Sequence, residues 1–175
     1  MKDMTVSKAL KWLFLAEILA ILAFIPLVGW ILAIVAFVLN LVALYGASKL
    51  EQGYYNAFIC SIVGIVISIL SGLVKKGILV TILDIVSSVV SLGIIFFVIS
   101  TTVGLLKARG ADDVAQKGET VWKINLICTV AGIILTLLAA LIPVVAAVLL
   151  VILAIVEIVG YVLYLMFLYK SYNIL

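Results

Sequence analysis

The sequence predicts an all-α, polytopic integral membrane protein, with six transmembrane helices arranged as three tandem helical hairpins. Three observations predict it. Of 175 residues, 68% are hydrophobic and 11% charged, where a soluble domain is about half apolar and about a quarter charged. The apolar residues are gathered into six runs separated by proline, glycine and charged clusters. The basic residues fall almost entirely at alternate breaks between those runs, which is how the two sides of a membrane are distinguished in sequence. Stretches such as 27–39 and 142–156 offer almost no polar residue to face water, so lipid is the expected cover.

Taken in order, the runs are 9–25, 27–47, 54–73, 78–106, 121–142 and 143–169. A hydrocarbon core needs about 20 helical residues at about 1.5 Å rise. The first run is at the short limit. Lys2, Lys8 and Lys11 before the apolar stretch 12–24 imitate a secretory leader. Glu17 interrupts that stretch and no A-x-A site follows, so a membrane helix is expected instead. The fourth run is long enough to tilt, to begin among headgroups, or to break near Gly93. A β-barrel is excluded because its strands alternate apolar and polar residues, whereas these runs are continuously apolar. Helices then satisfy the backbone in lipid.

The runs pair into hairpins at about 8–49, 54–107 and 119–170, within one transmembrane domain spanning 1–175. One side receives Lys2, Lys8, Lys11, Lys49, Lys107, Arg109, Lys117, Lys123 and Lys170, the other only Lys75 and Lys76. The basic side is expected to be cytoplasmic, with both termini there, in a multi-pass protein of the cell membrane. The longest connection is 107–120, read as a solvated cytoplasmic loop. Lys75 and Lys76 read as solvated outer residues. Trp12, Trp30, Tyr45, Tyr54, Tyr55, Trp122, Tyr169 and Tyr172 lie near segment ends, the place of an interfacial aromatic belt.

An internal repeat supports the hairpin scheme. Residues 59–70 (ICSIVGIVISIL) align with 127–138 (ICTVAGIILTLL), and the small and polar positions agree along with the apolar ones. Cys60, Gly64, Ser68 and Gly72 recur every four residues, as do Cys128, Gly132, Thr136 and Ala140. That spacing keeps each set on one helix face. Small faces let helices pack closely where lipid gives no hydrophobic reason to associate. The expectation is an intramolecular packing seam, with an assembly surface for a partner or a second copy as the functional alternative.

The polar residues inside the runs are the candidate binding or proton-exchange groups: Glu17, Asn40, Glu157 and Tyr161. A charge near the bilayer centre is costly and usually marks a pathway. At helical rise Glu17 and Asn40 lie about 12 Å and about 10 Å from the same side, so antiparallel neighbours would let them hydrogen-bond. Tyr161 leans back along its helix toward Glu157. No lysine or arginine lies at that depth. Either these carboxyls are neutral and glue helices together, or they line a cavity and exchange a proton or hold a cationic solute. Asp84 is expected nearer the outer interface.

Several classes are excluded. Histidine is absent, so no Ser-His-Asp or Cys-His pair and no H-E-x-x-H metal site can form. No G-K-[ST] phosphate loop occurs,. Cys60 and Cys128 sit alone in apolar runs without a C-x-x-C, so neither a disulfide framework nor zinc is expected. A charge of +3, scattered, makes no nucleic-acid face,. The expected function is that of a non-catalytic membrane subunit or interaction protein, embedded in the lipid bilayer with a membrane-protein partner or as a homo-oligomer, without a cofactor. The alternative is a small-solute or proton-linked transporter using the midplane carboxylates.

Overall fold

The computed structural model describes residues 4–74, 77–139 and 142–175. Lys2, Lys75, Lys76 and Ala140 lie outside the described residues. Six helices follow one another: α1 (Val6–Leu22), α2 (Gly29–Ala47), α3 (Gln52–Leu73), α4 (Ile78–Ala108), α5 (Asp112–Ala139) and α6 (Pro143–Ile174). All but α1 are long and apolar enough to cross a membrane, and α1 has 17 residues. The class this defines is a helical membrane protein.

Local chemistry sets the ends. The Thr5 hydroxyl caps α1 by accepting from the Lys8 amide at 3.2 Å, which satisfies one of the orphan donors of the first turn. The α1–α2 turn passes through Leu27 with a left-handed φ of 76°. Gly29 then starts α2 so close beneath the Ala23 carbonyl that a Cβ would overlap it.

The structure replaces the expected 107–120 loop by helix. α4 runs to Ala108 and α5 begins at Asp112. Gly110, at φ 73°, ends α4. Its amide donates to the Lys107 carbonyl at 3.0 Å and that of Ala111 to the Leu106 carbonyl at 2.9 Å, the paired bonds that a left-handed glycine allows at a helix end. Asp112 and Asp113 occupy the first turn of α5, where carboxylates favour the positive end of the helix dipole. The Lys107 ammonium meets Glu119 at 2.6 Å across the turn. Charge density reads like a loop in sequence, yet Ala115, Gln116, Lys117 and Glu119 propagate a helix well,, and the two aspartates suit its first turn. α4 also stays unbroken at Gly93.

Each helix packs on the next, and α6 closes back on α1. Contacts between like ends show that neighbours run antiparallel: Ser7 donates to the Tyr172 carbonyl at 2.6 Å, Tyr45 stacks near Phe58, and Tyr54 bonds Thr102 at 2.8 Å. The basic residues Lys8, Lys11, Lys49, Lys107, Arg109, Lys117, Lys123 and Lys170 therefore gather at one end of the bundle, called here the basic end.

The tightly packed core lies at that same end. Leu10 and Leu13 of α1, Leu44 of α2, Tyr54 of α3, Ile99 and Leu106 of α4, Val121 of α5, and Phe167 and Leu168 of α6 are all buried together. Toward the far end burial thins to residues such as Ala36, Ile67, Leu135 and Ala146, while Phe24, Leu27, Leu73, Ile78 and Val144 stand exposed. The bundle is closed at its basic end and splayed at the other.

Tyr54, expected in the interfacial belt, is instead fully buried. The Thr102 hydroxyl donates to the Val98 carbonyl at 2.7 Å, which leaves Tyr54 as the donor to Thr102 Oγ1. Thr102→Val should strand the Tyr54 hydroxyl and cost about 1–3 kcal/mol. Thermal unfolding in detergent would show a lowered midpoint, largely restored by adding Tyr54→Phe. An unchanged midpoint in Thr102→Val alone would remove this bond from the list of forces holding α3 to α4.

Candidate functional site

The splayed half contains four adjoining clefts. The largest, about 910 Å³, lies among α1, α5 and α6 and is lined by Glu17, Asn125, Thr129, Glu157 and Tyr161 beside apolar residues. A second, about 500 Å³ among α4, α5 and α6, shares Thr129 and Glu157 with the first and adds Asp84, Ser87, Ser88, Ser91 and Thr136. A third, about 450 Å³ among α2, α3 and α4, shares Ser87 and Ser91 with the second and adds Asn40, Ser61 and Ser68. The fourth, about 270 Å³ between α1 and α2, shares Asn40 with the third and Glu17 with the first. The circuit is unbroken, and every helix contributes a polar side chain to it.

Glu17 and Tyr161 form the tightest polar contact in this half. The Tyr161 hydroxyl lies 2.6 Å from Glu17 Oε2 and 3.0 Å from the Glu17 backbone carbonyl. The pair joins α1 to α6, the contact that closes the ring. Beside Tyr161, the buried Gly160 lets Ile124 of α5 approach to the point where a Cβ would stand 2.9 Å from it. α5 thereby brings Asn125 and Thr129 into the cleft alongside.

Two sequence expectations change. Tyr161 bonds Glu17, not Glu157: ring closure brings α1 within reach, and a partner on another helix wins over the acid four residues earlier. Glu17 and Asn40 line one cleft but share no hydrogen bond; the Glu17 carboxyl bonds Tyr161 instead. Glu157 makes no hydrogen bond among the described residues and faces two clefts. Asp84, six residues into α4, meets it in one of them.

The small-residue faces meet their neighbours at ordinary contact distance or, at Gly72, meet none. A Cβ on Gly64 would lie 3.6 Å from Val90, and one on Gly132 3.6 Å from Leu153. Both are ordinary contact distances that alanine would fill. Gly72 has nothing within 4 Å. Cys60 rests against Gly93 of α4, and Cys128 is buried. Ser68 and Thr136 line clefts, and the Thr136 hydroxyl also bonds the Gly132 carbonyl at 2.8 Å. Much closer approaches occur at Gly53 and Gly118, outside the four-residue pattern.

Sequence reasoning missed Asn125, Thr129 and the serines of α4. Ser87, Ser88 and Ser91 recur at one- and three-residue steps in an otherwise apolar helix, and that spacing was the available signal of a polar face. Among the described residues, no group of three or more His, Cys, Asp or Glu could hold a metal ion. In comparisons with known proteins, no family model, no curated sequence and no solved structure matches this chain.

Proposed function

We propose that the chain is a six-span membrane protein of three tandem hairpins that takes up a small organic cation. The observation that carries this reading is that Glu17 and Glu157 line the same 910 Å³ cleft, whose lining contains no lysine or arginine. Two carboxyl groups with apolar walls complement a solute that has a positive group and a hydrophobic body. A cleft of this volume also falls within the range of small-molecule sites, about 300–1,000 Å³.

The spanning of α1 rests on its continuation. Its 17 residues reach about 26 Å at helical rise, just short of a hydrocarbon core of about 30 Å. Ala23, Phe24 and Ile25 extend it through turn bonds to Leu19, Ile21 and Leu22, and they lengthen the apolar column. The positive-inside bias supports a cytoplasmic basic end. The splayed end then faces outward, and the sealed core lies below the site. Such an arrangement is one half of an alternating-access cycle, and it requires no catalysis.

The test is uptake into proteoliposomes of a radiolabelled hydrophobic amine, with an anion of similar size as control. Saturable uptake of the amine alone, abolished by Glu157→Gln, is the expected result. Uptake no greater than in protein-free liposomes, or equal uptake of the anion, would sink the proposal. A second reading, a non-catalytic assembly subunit, is favoured by a different observation. Leu27 and Phe24, 92% and 89% exposed, crown the splayed end, where a partner protein could cover them.

A further inference from the structure

At the basic end, away from the acid-lined clefts, a small cleft of about 180 Å³ opens between α5 and α6. Lys117 and Lys170 line it from opposite helices, so two like charges share one small cleft. No acidic side chain lines the cleft beside them. The one ion pair among the described residues is Lys107 with Glu119, so that acid of α5 is already committed. Asp113, one turn before Lys117, makes no ion pair. Below the lysines the cleft becomes apolar, with Leu163 and Met166 as walls and the buried Phe167 as floor. Gly118 sets that floor: a Cβ there would stand 2.6 Å from the Phe167 ring.

The axial order of these groups matches the order of groups in a phospholipid. Met166 and Leu163 lie about 6 and about 10 Å deeper than Lys170 at helical rise, and Met166 is half exposed on the outer surface. We infer that this cleft binds an anionic phospholipid, its phosphodiester held between Lys117 and Lys170 and one acyl chain lying over Leu163 and Met166. Charge complementarity selects the phosphate. The apolar wall selects a lipid over a free anion, because inorganic phosphate would leave that wall uncovered. The inference rests on the membrane reading and is independent of what the acid-lined cleft carries.

Titration of short-chain phosphatidylglycerol into the detergent-solubilised protein, read by native mass spectrometry, tests it. Each lysine near an anionic lipid surface contributes about 1 kcal/mol, so Lys117→Gln with Lys170→Gln should weaken binding more than about tenfold. Removing the same charge elsewhere at this end, by Lys11→Gln with Lys123→Gln, should change it less than about twofold. Phosphatidylcholine should bind weakly to both, and inorganic phosphate should not displace the lipid. Equal weakening by the two pairs would overturn the inference in favour of general surface attraction. Displacement by inorganic phosphate would overturn it in favour of a free-anion site.

Discussion

Glu17→Gln should leave the bundle as stable as before and reduce uptake of a hydrophobic cation by about tenfold to about a hundredfold. The argument counts protons. Tyr161 has one hydroxyl proton and faces two acceptors on Glu17, Oε2 at 2.6 Å and the backbone carbonyl at 3.0 Å. With Glu17 ionised, that proton serves the carboxylate. With Glu17 neutral, the carboxyl proton turns to the tyrosine oxygen and frees the tyrosine proton for the carbonyl. Both states are satisfied, so the pair can gain or release a proton, or exchange it for a cation, without losing the α1–α6 contact. Glutamine reproduces the neutral arrangement by donating its amide to Tyr161, and it can never carry the charge. A hydrogen bond to a charged group is worth about 1.5–3 kcal/mol, and each 1.4 kcal/mol is about tenfold in affinity. Unchanged thermal unfolding with lost uptake is the expected pair of readings; wild-type uptake would discard Glu17 as the cation's partner.

Gly53→Ala should lower the thermal midpoint more than any other single-methyl addition in α3. An added Cβ would overlap Thr101 Oγ1, and that hydroxyl is fixed by a 2.6 Å bond to the Phe97 carbonyl. The helices must part, and the neighbouring Tyr54 is drawn away from Thr102. Overpacking of this kind costs about 1–3 kcal/mol. Alanine's better helix propensity returns at most about 1 kcal/mol, so the clash wins. Gly72→Ala is the control: nothing lies within 4 Å of its added methyl, and its midpoint should hold or rise slightly. Equal behaviour of the two variants in detergent would show that Gly53 sets no helix spacing.

The contrast between Gly53 and Gly72 shows what was legible in the sequence. Apolar run length gave all six helices, because backbone satisfaction in lipid leaves few choices, and the lysine distribution marked the end where the core lies. Glu17, Asn40, Glu157 and Tyr161 stood out in the sequence, as helix glue or as cavity groups, because polarity inside an apolar run is rare. Their pairing was not legible. Which acid Tyr161 meets depends on α6 returning to α1, a contact 144 residues apart in the chain, and no local pattern encodes it. Likewise a glycine's spacing does not reveal whether another helix lies against it, as Thr101 of α4 does at Gly53. The 112–120 segment was misjudged for a different reason: charge reports solvation, and a solvated segment can be helical or not.

The uneven burial of the core also makes the helices into levers. α6 has 32 residues, about 48 Å at helical rise, and it is gripped mainly near its last turns, where Arg109 additionally holds the Ile174 and Leu175 carbonyls at 2.7 and 2.6 Å. A tilt of about 5° at that grip carries the opposite tip about 4 Å, given the same rise. A small adjustment at the packed end is thus magnified into a displacement of atomic size at the other. The packed core and the clefts sit toward opposite ends of the same rods.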